Sequence, residues 1–498
     1  MTRRIELRAG TYRDSVTLME ISQAVSAAPG VSAAIVAMAT PLNLELYERL
    51  GFDPAEIAGA TPNDLMVAVD AGTDDQLAAA IAVLDARLSA RAAAGGEGGE
   101  AVEPPRTVSA ALRAGADLCL ISLPGEHAAV EAMDAIESGT SAMLFSDNVT
   151  VEEEIRLKDA ALEHQGVLVM GPDCGTAVVG GVGLGFANAV RPGPIGMVAA
   201  SGTGAQQVSS LVDRAGVGLS AILGVGGRDL SRAVAGRSTL RAMTMLDEHP
   251  GTELVVVLSK PPDPVVAERI VAAAAALTTP SVVAFVGRGR KDLTAVSMDV
   301  LAAMGVDAWQ PESWPADHER LPRQGSIRGL FSGGTLCDES MAIAAETLGP
   351  VMSNTPLEPE WQLPDSLTHP GHLMIDFGDD KLTQGRAHPM IDPSLRNARI
   401  LEEAVDPSCA VILLDVVLGY GSHRHPADDL VPVMTRARET ARAAGRDLAF
   451  VVSLVGTSQD PQGLEDVATR LVAAGASVHL SNAEATRQAV ALIEGAAR

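Results

Sequence analysis

Two stretches of this chain read alike: Ile195-Gly-Met-Val-Ala-Ala-Ser-Gly-Thr-Gly204 and Ile327-Arg-Gly-Leu-Phe-Ser-Gly-Gly-Thr335. Each is an apolar run that ends in a hydroxyl-and-glycine turn and passes into a helical pattern, which predicts strand, turn and helix. Each copy continues into a glycine-and-charge loop, Gly224-Val-Gly-Gly-Arg-Asp229 in the first and Asp376-Phe-Gly-Asp-Asp-Lys381 in the second. Apolar strand runs then recur at 254–258 and 282–286, and again at 411–417 and 448–452. A repeat of such long period is one supersecondary unit used twice. Continuous apolar strands that alternate with helices predict parallel sheets covered on both faces.

The pattern is that of an α/β protein with two flavodoxin-like units in tandem, at 194–305 and 326–498. They are joined by a connection at 306–325 that contains two Trp and three Pro. A smaller strand–helix unit precedes them at 107–193, with strands expected at 118–122, 142–145 and 167–170. Before it, residues 91–106 are dominated by Ala, Gly, Glu and paired Pro, which cannot build a core and predict a flexible linker. Residues 1–90 predict a small α+β domain of ferredoxin-like type. Its strands are expected near 5–7, 31–37 and 65–69, with one helix capped by Asp14 and another at 75–88.

The chain has 498 residues, 47% of them hydrophobic, which excludes global disorder. Its net charge of −26 opposes a phosphate-backbone binder, and three Trp, three Tyr and seven Phe leave little material for stacking bases. Nucleic acid is therefore not an expected partner. No apolar run reaches the ~20 residues of a membrane span, and the basic N-terminus has no apolar stretch behind it, so a cytoplasmic protein is expected. Cys119, Cys174, Cys337 and Cys409 lie far apart, which argues against disulfides and zinc.

Small residues and hydroxyls at the entrance of a helix let an anion approach free N–H groups and a positive dipole end. Ser201, Gly202, Thr203 and Gly204 form one candidate phosphate cradle, and Ser332, Gly333, Gly334 and Thr335 the other. Such turns also cap helices with no ligand at all; their recurrence in a duplicated unit favours the cradle. Gly171-Pro-Asp-Cys-Gly-Thr176 follows the strand at 167–170, at the carboxyl end where open α/β sheets bind ligands. Asp173, Cys174, Gly175 and Thr176, with Gly226 and Gly227, are the candidate substrate-binding residues. Cys174 has no His nearby in sequence to serve as its base, so an inert thiol is the plainer reading. His388, with Arg386 before it and Asp392 after it, is the candidate catalytic group, and Arg228 and Arg386 the candidate anion clamps. Arg232, Lys260 and Arg288 are further cations near the ligand-facing loops. His423 and His425 lack a third ligand, so no metal site is expected there.

These motifs resemble known ones. Gly171-Pro-Asp-Cys174, Ala200-Ser-Gly-Thr203 and Gly224-Val-Gly-Gly227 resemble, in order, the α subunit of succinyl-CoA synthetase. Residues 326–490 resemble the carboxyl-terminal ligase domain of its β subunit. The whole chain resembles the FdrA family of acyl-CoA-synthetase-like proteins. That likeness is carried by Tyr12-Arg-Asp-Ser-Val16, Thr61-Pro-Asn-Asp64, Phe145-Ser-Asp-Asn-Val-Thr150, Gly226-Gly-Arg-Asp-Leu-Ser231, Ser259-Lys-Pro-Pro262 and His388-Pro-Met-Ile-Asp-Pro393. The resemblance implies a Rossmann-like, CoA-binding-type domain at 107–193, followed by two succinyl-CoA-synthetase-type domains.

In the synthetases two helix N-termini face a phosphorylated histidine, and the resemblance implies both cradles on this one chain. It has no His between His249 and His318, where the relay histidine would fall, and the linker stands where the glycine-rich coenzyme A turn would be. Phosphate or carbamoyl phosphate is then the expected substrate, coenzyme A is doubtful, and Mg2+ is an optional companion. By resemblance, the leading expectation is a subunit of an oxamate carbamoyltransferase in allantoin (purine) catabolism, which would cleave oxalurate with phosphate to oxamate and carbamoyl phosphate. The expected partners are a small anionic substrate and companion carbamoyltransferase subunits, with a homodimer as one allowed assembly. The alternatives are an NDP-forming acyl-CoA ligase with His388 as substitute relay, and a non-catalytic scaffold subunit.

Overall fold

A computed structural model of the chain describes residues 2–9, 15–26, 28–62, 64–93, 105, 107–113, 115–316, 324–383 and 387–494. It divides into two compact units, Met1–Pro104 and Pro105–Arg498.

In the first unit, strands β1 (Thr2–Arg8) and β2 (Val31–Met38) flank β3 (Leu65–Ala71), and both run antiparallel to it. Helices Ser15–Ser26 and Asp74–Ala93 cover one face through Leu18, Ile21, Val25 and Leu84. Tyr47, Phe52 and Ile57 cover the other, which is why β3 is apolar on both sides. This is the split β-α-β arrangement of a ferredoxin-like domain, with three strands among the described residues. The predicted cap Asp14 lies outside the described residues, as does most of the predicted linker; its first residues instead extend the helix to Ala93.

The second unit opens with three parallel strands in the order β4 (Leu118–Ile121), β5 (Ser141–Leu144), β6 (Val169–Met170). A hairpin of β7 (Thr176–Val179) and β8 (Val182–Gly185) then joins a second sheet, whose parallel strands are β9 (Pro192–Ala199), β10 (Leu219–Gly224), β11 (Leu254–Ser259) and β12 (Ser281–Phe285). The sheet order is β12-β11-β9-β10-β7-β8. A third sheet contains β13 (Ser313–Trp314), β14 (Ser326–Phe331), β15 (Met352–Ser353), β16 (Leu373–Asp376), β17 (Cys409–Val417), β18 (Ala449–Val455) and β19 (Ala476–His479). Its order is β13-β19-β18-β17-β14-β16-β15. In both sheets the strand that opens the copy is central: β9 lies between β10 and β11, and β14 between β16 and β17. That is the doubly wound order of a flavodoxin-like sheet.

The connection at 306–325 does more than tie the domains, because β13 pairs antiparallel with β19 at the edge of the third sheet. Helices Gly202–Arg214 and Gly334–Leu348 lie in one continuous core: Val208 and Val212 of the first share it with Leu336, Met341 and Ala344 of the second. That shared packing sets their N-terminal ends against each other.

Candidate functional site

Each of these helices begins where a buried parallel strand ends. Ser201 caps the first, its Oγ accepting the Gly204 N–H at 3.1 Å. The same Oγ is 2.7 Å from Thr335 Oγ1 of the second helix, although 134 residues separate the two in sequence. A β-carbon on Gly333 would lie 2.7 Å from Thr203 Cγ2, so only glycine allows this approach. The two turns singled out in the sequence therefore meet. The N–H groups of a helix's first turn have no intrahelical partner and carry the positive end of its dipole.

The two turns are not equivalent. The amides of Ser332 and Gly333 donate to the carboxylate of Asp415, each at 2.8 Å. Arg396 donates from one nitrogen to Ser332 Oγ (2.7 Å), Asp415 O (2.7 Å) and Asp415 Oδ1 (2.9 Å). Ser332 and Gly333 thus spend their hydrogen bonds on a buried ion pair and shape the turn. Gly333 and Thr335 meet the first turn, while Gly334 lies beside Asp376 and Lys260.

Beside the junction lies a group of carboxylates and cations. A β-carbon on Gly334 would lie 2.5 Å from Asp376 Oδ2 and 3.7 Å from Lys260 Nζ; one on Gly378 would lie 2.8 Å from His388 Nε2 and 3.1 Å from Asp376 Oδ1. Burial, reinforced by Asp338 and Asp415, pushes the Asp376 carboxyl up to about 7 against the opposing pull of the Gly378 amide and Lys260. Asp173 is also raised to about 7, by loss of bulk water and by Asp380 and Asp147. Asp173 is exposed, so it lies at the surface rather than in the core.

His388 packs against Phe186, ring centres 5.2 Å apart, and burial pushes its pKa down to about 4. Its Nδ1 accepts the Met390 N–H at 3.2 Å, so the ring proton belongs on Nε2. A neutral imidazole with its proton on Nε2 is a hydrogen-bond donor. In this tautomer Nε2 carries the proton and has no free lone pair.

The remaining candidates divide. Thr176 Oγ1 would be 3.2 Å from a β-carbon on Gly202, which puts the 171–176 loop beside the first helix entrance. Gly175 contacts Phe186 through its carbonyl, which accepts the Phe186 N–H at 2.7 Å. The Cys174 thiol is buried, donates to Thr176 O at 3.6 Å and has its pKa pushed up to about 12 by burial, so it lines the fold and not a reaction path. Gly226 is buried against Pro172 O, while Gly227 is exposed. Arg228 is partly committed, donating to Val149 O at 2.8 Å and pairing with Glu154 at 3.1 Å. Arg288 turns away to Glu358 and the face of Trp361. Arg386 lies outside the described residues. His423 pairs with Asp429, and no group of three or more metal-ligating side chains occurs among the described residues. Nor, among them, is any helix long and apolar enough to cross a membrane.

Comparison with known proteins decides the family. YahF of Escherichia coli (strain K12) is 38% identical over 496 residues, covering 95% of each chain. The chain belongs to the YahF family. The family description "CoA-ligase" matches residues 330–492 of this YahF relative, and "AllF, heavy metal-associated domain" matches residues 1–105. The latter stretch contains no Cys and no His. The α subunit of the ADP-forming succinate–CoA ligase of Aquifex aeolicus (strain VF5) is 26% identical over 174 residues, 33% of this chain and 56% of that subunit. The chain thus spans about half the length of the curated ligase subunits it matches. The apo dinucleotide-forming acetyl-coenzyme A synthetase 1 of Ca. Korarchaeum cryptofilum aligns over 77% of this chain and 83% of its own at 15% identity. Its TM-score of 0.28 is too low for any residue-by-residue transfer.

The CoA-ligase family match and the ligase α-subunit relatives make this chain succinyl-CoA-synthetase-like. They support the acyl-CoA-ligase reading over carbamoyl transfer in allantoin catabolism. Sequence reasoning alone missed Asp415, Arg396, Asp338 and Phe186. Asp415 did leave a signal, as the one charge inside the apolar run 411–417.

Proposed function

We propose that the Pro105–Arg498 unit moves an acyl group between a donor and phosphate at the paired helix entrances, the acyl-phosphate step of NDP-forming acyl-CoA-synthetase chemistry. The observation that supports it is the 2.7 Å contact between Ser201 Oγ and Thr335 Oγ1, which brings two positive helix ends to one place. A phosphate oxygen attacks the acyl carbonyl, forming a C–O bond, and the tetrahedral oxyanion then collapses with departure of the leaving group and its electron pair. Helix N–H groups hold the phosphate, and the His388 Nε2–H stabilises the developing oxyanion. A neutral histidine suits that role, since it donates without surrendering its proton. Asp376, with its raised pKa, is the group that exchanges a proton with the phosphate or the leaving group.

Before β4 the described residues form a short helix, Val108–Leu112, and not a glycine-rich turn, so no step is assigned to a bound coenzyme. The same observation favours a second reading, in which the acyl group is a carbamoyl and the donor a ureido acid. A companion chain would supply the nucleotide step. The test is phosphate binding by calorimetry, together with hydroxylamine trapping of acyl phosphate from thioester and ureido-acid donors. Phosphate-dependent hydroxamate is expected with one donor class, falling about 100-fold in His388→Ala. No phosphate binding and no hydroxamate from either class would reject the proposal.

A further inference from the structure

Lys260 has no role in the scheme above. It follows β11 in the first ligase-like domain, yet its side chain crosses to the second. Its Nζ is 2.7 Å from Asp338 Oδ2, one turn inside helix Gly334–Leu348. It is also 3.7 Å from where a β-carbon on Gly334 would be, alongside Asp376 Oδ2. This places an ammonium over the entrance of the second helix, carried there by the opposite domain. Burial works against the charge, but Asp338 and Asp376 outweigh it and hold the lysine above its ordinary pKa. The pair remains open to water, with 47% of the Lys260 side chain and 23% of Asp338 exposed. Exposed pairs of this kind are held weakly, so a doubly charged anion arriving at the helix entrance competes well for the lysine.

A further depression borders this turn at Ser332, lined by none of Lys260, Asp338, Gly334 and Thr335. Arg396 is 5% exposed, its Nε has no hydrogen-bond partner, and with Ser332 and Asn397 it lines that depression at the carboxyl ends of β14 and β17. Those two strands are where the sheet order reverses, the usual ligand crevice of an open α/β sheet.

We propose that Lys260 is a catalytic residue: it leaves Asp338 to bind phosphate oxygens at the Gly334–Thr335 entrance, and Asp338 is the resting partner that holds it until the anion arrives. This rests on the reading that an anion occupies the paired entrances. The test is calorimetric titration of the full chain with inorganic phosphate, comparing wild type, Lys260→Gln, Asp338→Asn, the double variant and Lys260→Arg. Lys260→Gln should weaken binding by at least about tenfold, as expected for loss of a charge-assisted contact, and Lys260→Arg should recover most of it. Asp338→Asn should instead tighten binding several-fold, and should have no effect beyond about twofold when Lys260 is already Gln. A lysine that merely ties the domains together would give neither the opposite signs nor their dependence on one another. Wild type that binds phosphate while Lys260→Gln binds equally well overturns the inference and leaves the proposed function standing. Asp338→Asn that binds no tighter overturns the resting-partner role, and wild type that binds no phosphate overturns both readings.

Discussion

The contact between Ser201 and Thr335 can be measured as a coupling energy. Ser201→Ala removes two bonds, the cap to the Gly204 amide and the bond to Thr335 Oγ1. The cap is worth about 1 kcal/mol. Thr335 is buried, so its hydroxyl would be left without a partner at a further cost of about 1–2 kcal/mol. Thr335→Val keeps the shape and removes one bond, while Ser201 still accepts from Gly204, so its cost should be about 1–2 kcal/mol. The double variant strands neither hydroxyl and loses chiefly the cap, about 1–2 kcal/mol in all. The single costs should therefore exceed the double by about 2 kcal/mol. Denaturant unfolding followed by tryptophan emission reports on the relevant unit alone, because Trp309, Trp314 and Trp361 all lie within it. Additivity within about 0.5 kcal/mol would mean that no bond is shared. The helix entrances would then be apart, and a single anion seat between them would be untenable.

Other outcomes follow from the same geometry. His388 should remain neutral from pH 8 down to about 5 with its proton on Nε2, since burial lowers its pKa to about 4; an imidazolium signal in 15N spectra at pH 6 would contradict this. Its contribution to stability should be complete above the unfolded-state pKa and should decline as pH falls from about 6.5 toward 4, because only the unfolded state takes up the proton readily in that window. Sulfate, which does not titrate here, should bind more weakly as pH rises through about 7, as Asp376 and Asp173 become charged, and Asp376→Asn should flatten that profile. Lys158→Met should destabilise the second unit by about 3–5 kcal/mol, since Lys158 is buried 2.7 Å from both Glu154 and Asp229 and its removal strands their charge; a melting point within a degree of wild type would refute it. Ellman's reagent should find at most Cys119 reactive in the native chain and all four thiols after denaturation, because Cys174, Cys337 and Cys409 are buried with raised pKa values.

What could be read from the sequence was whatever leaves a local trace. β9, β11, β14 and β17 are largely buried on both faces, so they appear as apolar runs broken only by Arg328 in β14 and Asp415 in β17, and the turns after β9 and β14 are marked by small residues and hydroxyls. The short strands β13, β15 and β16, and the hairpin β7–β8, gain their pairing from neighbours and have no such run to betray them. The site divides in the same way. Ser201 and Thr335 could each be nominated, but their contact depends on two helices sharing one core, and nothing within either segment encodes it. Arg396 lies on an amphipathic helix where an arginine ordinarily faces water; only the fold reveals that it is buried against Asp415. Cys174 and Arg228 were plausible by chemistry, and the structure shows the partners that already engage them.

The asymmetry between the two entrances bears on how an anion would sit. Holding two positive helix ends together is unfavourable unless negative charge lies nearby, and neither helix has an acid in its own first turn. Compensation comes from elsewhere, and at the second entrance: Asp415 takes two amides there, while Asp376 and Asp338 lie beside Gly334 and Lys260. The first entrance, by contrast, is bordered by hydroxyls, Thr176 and Thr203. Under the proposed function, an incoming phosphate would be drawn to the Gly202–Thr203 side, whose border is hydroxyls and not carboxylates. The second side meets it with a proton-exchanging carboxylate and a displaceable lysine. A chain of net charge −26 can hold a dianion only where its own carboxylates are already neutral or paired. Where the duplicated domains touch, burial leaves Asp376 about half protonated at neutral pH, Arg396 pairs Asp415, and Lys260 pairs Asp338.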